Sequence, residues 1–197
     1  MKITASCFVL WAVLCVLSQR AFGADSSILF EPSSQIPAEG GPAAKLAYLP
    51  GGTAFLTGGI GAISVSHNVG IGVGGYSLDS DYEPVHDGIR HDIGYTYGGL
   101  YLDYSLVRFR FAFITLSFLA GPAQGWSVAR TPGAERVYAN FAQIEPGINL
   151  MISVTHELRI GLGGSYRFCA GDDLDGDLGA DLQGGALTLT MMYGKID

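Results

Sequence analysis

Cysteine, lysine and long apolar runs are scarce in this chain. Two of its three cysteines, Cys7 and Cys15, fall within the first 23 residues. Only Cys169 remains beyond them, so no internal disulfide can form there and the fold must be held by packing and pairing. After position 23 no stretch approaches the roughly 20 uninterrupted apolar residues of a spanning helix, which excludes a helical membrane protein. Charged residues make up 15% of the chain, and without Lys2 and Arg20 nine basic residues stand against eighteen acidic ones, a net charge of −9. That balance excludes nucleic acid as a partner.

The first 23 residues read as a secretory signal peptide. Lys2 supplies the positive end, Cys7 to Leu17 form the apolar segment, and Ala21-Phe22-Gly23 is a small-residue site cleaved before Ala24. Leu14 stands before Cys15 where a lipoprotein signal needs a small residue, so acylation there is not expected. The expected organisation is a signal peptide over 1–23, an N-terminal extension over 24–41 and one domain over 42–197.

What the chain has in plenty is glycine, 29 residues, together with ten tyrosines and ten phenylalanines. They are set in a period of two. From Leu158 to Phe168, one face carries Leu158, Ile160, Leu162, Gly164, Tyr166 and Phe168, and the other carries Arg159, Gly161, Gly163, Ser165 and Arg167. Such alternation belongs to strands, not helices. Similar runs cover 43–49, 53–66, 69–79, 92–106, 109–121, 137–154, 157–170 and 181–194, which makes eight strands.

Connections at 80–91, 122–136 and 171–180 are long and rich in Asp, Gly and Pro, whereas His67-Asn68, Val107-Arg108 and Thr155-His156 are tight. Apart from the short Pro50-Gly51-Gly52, long and short connections alternate, as in a membrane barrel with both termini on one side. The predicted fold is all-β, an eight-stranded antiparallel up-and-down barrel. In strand 5, Phe109, Phe111 and Phe113 share one face and Ile114, Leu116 and Phe118 the other, which predicts a bulge near 113–115.

The stretch Ile63 to Gly75 aligns without gaps on Ile152 to Gly164, an offset of 89 residues, with eight of thirteen positions identical. The hairpin of strands 2 and 3 thus recurs as that of strands 6 and 7, and Gly98 to Leu102 echoes Gly184 to Thr188. A doubled four-stranded half suits an eight-stranded closure that leaves no edge.

The block Ile144-Glu145-Pro146-Gly147-Ile148-Asn149-Leu150, followed by Leu158 to Arg167, Gly184 to Leu189 and Tyr193-Gly194-Lys195, resembles small secreted or outer-membrane barrel proteins of Bacteroidota-type bacteria. Gly40-Gly41-Pro42, the hairpin at His67 and Gly98 to Leu102 extend the likeness over most of the chain. The resemblance implies an OmpA- or OmpX-like architecture in the cell outer membrane, with lipid or lipopolysaccharide around the wall and the barrel-insertion machinery as a partner. It brings no catalytic residues. Such barrels usually end on an aromatic residue, for which Tyr193 is the nearest substitute.

Four charges are the most informative. Glu145, Arg159 and Arg167 alternate away from the apolar face, and Asp103 shares an inward face with Tyr101 and Ser105. In an inserted barrel they line the lumen as a structural network, with Glu145 expected to pair with Arg159, because a buried charge must be paired. Eight strands leave little open channel. Asp172, Asp173, Asp175 and Asp177, with Asp181 nearby, concentrate hard oxygen ligands that suit Ca²⁺ better than a transition metal. Their register is wrong for an EF-hand, and an acidic outer loop is the favoured reading. His86-Asp87 and His91-Asp92 offer imidazoles and carboxylates to Zn²⁺ at a spacing that fits no motif, and Arg90 between them repels a cation. His67 and His156 stand at tight turns beside Ser66 and Thr155, duplicated by the repeat as a catalytic site would seldom be. No cofactor is expected.

Two architectures share this alternation. One is a non-enzymatic, monomeric outer-membrane barrel with a side-chain-filled lumen and exposed outer loops. The other is a soluble periplasmic or extracellular barrel of lipocalin type, in which Leu158, Ile160, Leu162, Tyr166 and Phe168 would line a cavity for an apolar ligand. A lipid A-modifying enzyme rests only on fold analogy. Which face is wet separates the first two.

Overall fold

The computed structural model describes residues 37–80, 82–86, 89–171 and 181–194. The signal peptide, Asp87 and the aspartates Asp172, Asp173, Asp175 and Asp177 lie outside the described residues, as does the extension up to residue 36. Eight long strands form the wall: β1 Ala38–Leu49, β2 Gly52–Ser64, β3 Val69–Leu78, β4 Ile89–Arg108, β5 Ala112–Ala129, β6 Val137–Ser153, β7 Leu158–Ala170 and β8 Gly184–Gly194. Each pairs antiparallel with its neighbour in sequence, and β8 returns to β1 through pairs such as Leu187 with Leu46. The ring is closed, so no strand presents an unpaired edge. A two-residue ladder, Val85–His86 against Ile89–Arg90, folds back at the start of β4.

The register sets the barrel's size. Paired residues lead from Ala47 through Ala186, Ser165, Gly147, Ser117, Asp103 and Gly70 to Ser64, whose N–H donates to the Pro37 carbonyl, ten residues before Ala47. With about 3.3 Å per residue and about 4.8 Å between strands, a shear of ten over eight strands tilts them by about 40° and gives a backbone radius of about 8 Å. Such a lumen is filled by side chains.

Three ladder interruptions coincide with the three strand prolines. Pairing skips from Gly40 to Ala43 on β1, from Ala120 to Ala123 on β5 and from Ile144 to Gly147 on β6, around Pro42, Pro122 and Pro146. Proline has no N–H to give the ladder. This corrects the sequence reading of 122–136 as a loop: β5 runs through Pro122 to Ala129, and the connection is only 130–136. β1 likewise begins at Ala38, ahead of the expected boundary at 42. The ladder is irregular opposite Ile114 and Thr115, near the expected 113–115, but the extra residue lies on β4, between Ser105 and Val107. Phe109 and Phe111 belong to the exposed turn before β5, closed by a bond from the Phe109 N–H to the Ala112 carbonyl.

The repeat is visible in the turns. Val65 and Ser66 N–H donate to the Val69 carbonyl at 2.9 and 3.3 Å, as Val154 and Thr155 N–H donate to Leu158 at 2.9 and 3.2 Å. Asn68 accepts from Ser105, and Glu157 from Gly194, again 89 residues apart.

Candidate functional site in the lumen

Period two sorts the side chains. Leu158, Ile160, Leu162, Tyr166 and Phe168 point out, while Arg159 and Arg167 point in. The lipocalin orientation, which needs the apolar set inside, is thereby corrected. Apart from Arg90 and Asp92 near the long-loop end of β4, no outward position of the eight strands carries a charge among the described residues. Aromatic residues flank this belt: Tyr48, Tyr138, Tyr166 and Phe168 toward the long loops, and Tyr104, Phe109, Phe111 and Tyr193 toward the tight turns.

Inside, Glu145 on β6 is the hub of a buried cluster. Its carboxylate accepts from Lys45 Nζ at 2.5 Å, Tyr97 Oη at 2.7 Å, Ser165 Oγ at 2.5 Å and Gln143 Nε2 at 3.3 Å. Arg167 Nε lies 3.7 Å from the same carboxylate, and Arg167 Nη2 donates to Tyr97 Oη at 3.3 Å. Aromatic rings complete the layer. Lys45 Nζ sits 3.6 Å from the Tyr76 ring centroid, Arg167 lies 5.1 Å from that of Tyr95, and Tyr76, Tyr97, Tyr95 and Phe141 stack in succession. Cations over ring faces gain from the quadrupole, most where water is excluded.

A second cluster lies nearer the tight turns. Arg159 Nη1 donates to Glu39 Oε2 at 2.9 Å and its guanidinium lies 4.8 Å from the Phe113 ring. Asp103 accepts from Tyr101 Oη at 3.5 Å. The structure therefore joins Glu145 to Arg167 but not to Arg159, whose acid is Glu39, and it places Asp103 in the lower group. The expected Glu145–Arg159 pair is corrected because β1 extends far enough to bring Glu39 opposite Arg159, while Lys45 reaches Glu145 from the same strand. Lys45 and Arg167 against Glu145 leave the upper group one excess positive charge, whereas Arg159 and Arg108 match Glu39 and Asp103 in number below.

Between the clusters lies a cavity of about 40 Å³ lined by both Glu145 and Asp103. At about 10–15 Å³ per water it has room for a few waters and for no larger solute. Above, the loop following β3 folds over the barrel mouth. Tyr82 is buried, and its hydroxyl accepts from the Gly51 N–H at 3.1 Å and donates to the Asp181 carbonyl at 3.4 Å. Burial raises the Tyr82 pKa above its ordinary value. A Cβ on Gly51 would stand 2.7 Å from Pro84 Cβ, so the short first hairpin makes room for this cap. Glu83 meets Arg130 at 2.5 Å, and Arg130 also meets Asp92 at 2.8 Å.

The remaining sequence candidates are dispersed. His67 and His156 are exposed at their turns, and the His67 carbonyl accepts from Arg108. His91 Nδ1 lies 3.2 Å from Ser127 Oγ, whereas Asp92 points from the other face of β4 to Arg130. No group of three or more His, Cys, Asp or Glu side chains that could hold a metal occurs among the described residues. Sequence reasoning missed Lys45, Glu39, Tyr97 and Tyr82. Lys45 had a usable signal, since it alternates inward with Ala43 and Ala47 while Leu46 and Tyr48 point outward.

Known structures share this fold. Neisserial surface protein A (NspA) aligns over 83% of this chain and 99% of its own with a TM-score of 0.58 at 11% identity. The N-terminal β-barrel domain of Pseudomonas aeruginosa OprF aligns over 81% and 98% with a TM-score of 0.51 at 14% identity. A major outer membrane protein of Thermus thermophilus aligns over 80% and 99% with a TM-score of 0.51 at 12% identity. No protein-family model matches the chain, and no curated protein matches it.

Proposed function

We propose that the protein is an integral barrel of the bacterial outer membrane, non-enzymatic and monomeric, with a surface or structural role and a lumen plugged by its own side chains. The observation that carries this reading is the inversion of the wall: an uncharged apolar exterior around an interior that holds Lys45, Glu145 and Arg167. Water outside would leave that exterior without reason, whereas hydrocarbon outside requires it. From Leu158 to Phe168, ten residue-to-residue steps tilted by about 40° at about 3.3 Å each rise roughly 25 Å, the height of the apolar band of such barrels.

The long-loop end faces the outside in this reading, and the termini and tight turns face the periplasm. Membrane lipid, including lipopolysaccharide, surrounds the wall, and the insertion machinery places it there. The kinship to Bacteroidota-type barrels belongs to the same proposal, supported by the motifs around Glu145 and Gly184. Its test is membrane fractionation with carbonate and detergent washes, joined to gel migration before and after heating. Retention through carbonate and a heat-dependent shift support it, and release by carbonate alone refutes it.

A further inference from the structure

We propose that the chamber at the tight-turn end of the barrel binds a small zwitterion, its ammonium group on Asp103 and its carboxylate on Arg108. This rests on the outer-membrane reading only for the compartment, the periplasm, from which the ligand enters.

The chamber has a volume of about 300 Å³ and is lined by Glu39, His67, Gly70, Asp103, Arg108 and Arg159 among others. That lies at the lower end of small-molecule sites. Glu39 and Arg159 pair with each other at 2.9 Å. Asp103 and Arg108 do not: neither has an ion partner within 4.0 Å among the described residues. Asp103 accepts from the Tyr101 hydroxyl at 3.5 Å and from the Thr115 hydroxyl and feels Arg159 and Arg108 only at longer range, and Arg108 meets the His67 carbonyl and Ser105 Oγ, the latter at 3.5 Å. One acid and one base, neither closed into an ion pair within 4.0 Å among the described residues, thus line the same chamber.

The internal repeat explains why the chamber is there. Gly70 aligns with Arg159 in the 89-residue repeat. In the second half, that position holds a guanidinium pairing with a carboxylate. In the first half it is a glycine directly paired with Asp103, and a Cβ built on Gly70 would touch only Asp103 Cβ, at 3.6 Å, and the Ile63 carbonyl, at 3.8 Å. Neither contact nor backbone conformation demands glycine, which weakens a strand relative to alanine. Its absent side chain leaves Asp103 open to a cation at the site where the other half supplies its own.

An ammonium fills that vacancy, and a carboxylate within the same small molecule matches the guanidinium of Arg108, a geometry suited to two parallel hydrogen bonds. A simple anion would meet Asp103 and Glu39, and a simple cation would meet Arg108 and Arg159. Free amino acids and short peptides carry both charges in a molecule small enough for a chamber of about 300 Å³.

The test uses the full mature chain refolded in detergent micelles, with folding verified by heat-dependent gel migration, and titrates it calorimetrically with alanyl-alanine. N-acetyl-alanyl-alanine and alanyl-alanine amide, each lacking one charge, are titrated in parallel. Saturable binding of the dipeptide, lost with either blocked form and lost in Asp103→Asn, Arg108→Gln and Gly70→Leu, is the expected result. Absence of binding to folded wild-type protein overturns the inference while leaving the membrane reading standing. Equal binding of all three probes, or binding unchanged in Gly70→Leu, also overturns it. Carbonate release of the native protein would instead refute the membrane reading, whatever the titration shows.

Discussion

Replacing Glu145 by glutamine tests the plug at its hub. The carboxylate receives Lys45, Tyr97, Ser165 and Gln143 and lies 3.7 Å from Arg167 Nε, all in a buried layer. Glutamine keeps the shape and removes the charge, which leaves two cations facing each other without a counter-ion. Breaking a buried ion pair from one side costs about 3–5 kcal/mol, a large share of the roughly 5–15 kcal/mol that holds a domain folded. Lys45→Met removes one of the stranded cations, so the double variant Glu145→Gln with Lys45→Met should cost about 1–3 kcal/mol less than the sum of the single losses. Arg159→Gln should instead add to Glu145→Gln, because Arg159 answers to Glu39. Urea unfolding from phospholipid vesicles, followed by the gel shift between folded and unfolded barrel, measures all five variants, three single and two double. A loss below about 1 kcal/mol for Glu145→Gln, or strict additivity with Lys45→Met, would refute the hub.

Other variants probe the wall and the cap. Leu162→Lys puts a charge near mid-height on the outer face and should destabilise the inserted barrel by about 2–4 kcal/mol in the same unfolding assay, whereas a water-exposed wall would tolerate it. Tyr82→Phe removes both the acceptor of the Gly51 N–H and the donor to the Asp181 carbonyl. It should cost about 1 kcal/mol and speed protease cleavage in the loop after β3; an unchanged cleavage rate would show that the hydroxyl does not hold the cap. Planar-bilayer recording of the wild type should show no steady conductance, and Glu145→Ser with Arg167→Ser should raise it, since together they truncate two of the side chains that plug the layer around Tyr97.

The strands were legible because the wall obeys period two: from Leu158 to Phe168, every outward residue and both inward arginines could be assigned from sequence. The repeat located two hairpins that the structure closes with matching bonds. Pro122 misled, because a proline in mid-strand ordinarily ends a strand, and here the neighbouring ladders hold β5 together across the missing donor. Partners across the barrel were not legible. Glu145 and Lys45 are 100 residues apart, and alternation places both inside without saying which strands face each other. Only the shear of the closed sheet determines that Arg159 meets Glu39 while Lys45 meets Glu145.

The most direct measurement is the side from which lipid reaches each strand. In a Cys169→Ser background, single cysteines at Leu187, Leu189 and Met191 and at Thr188 and Thr190 can carry nitroxide labels in phospholipid vesicles. Labels at the three outward positions should show high accessibility to oxygen dissolved in the bilayer and low accessibility to a water-soluble paramagnet, with oxygen accessibility falling at 188 and 190 in a period of two. High accessibility of positions 187, 189 and 191 to the water-soluble reagent would contradict an inserted barrel with its polar residues inside.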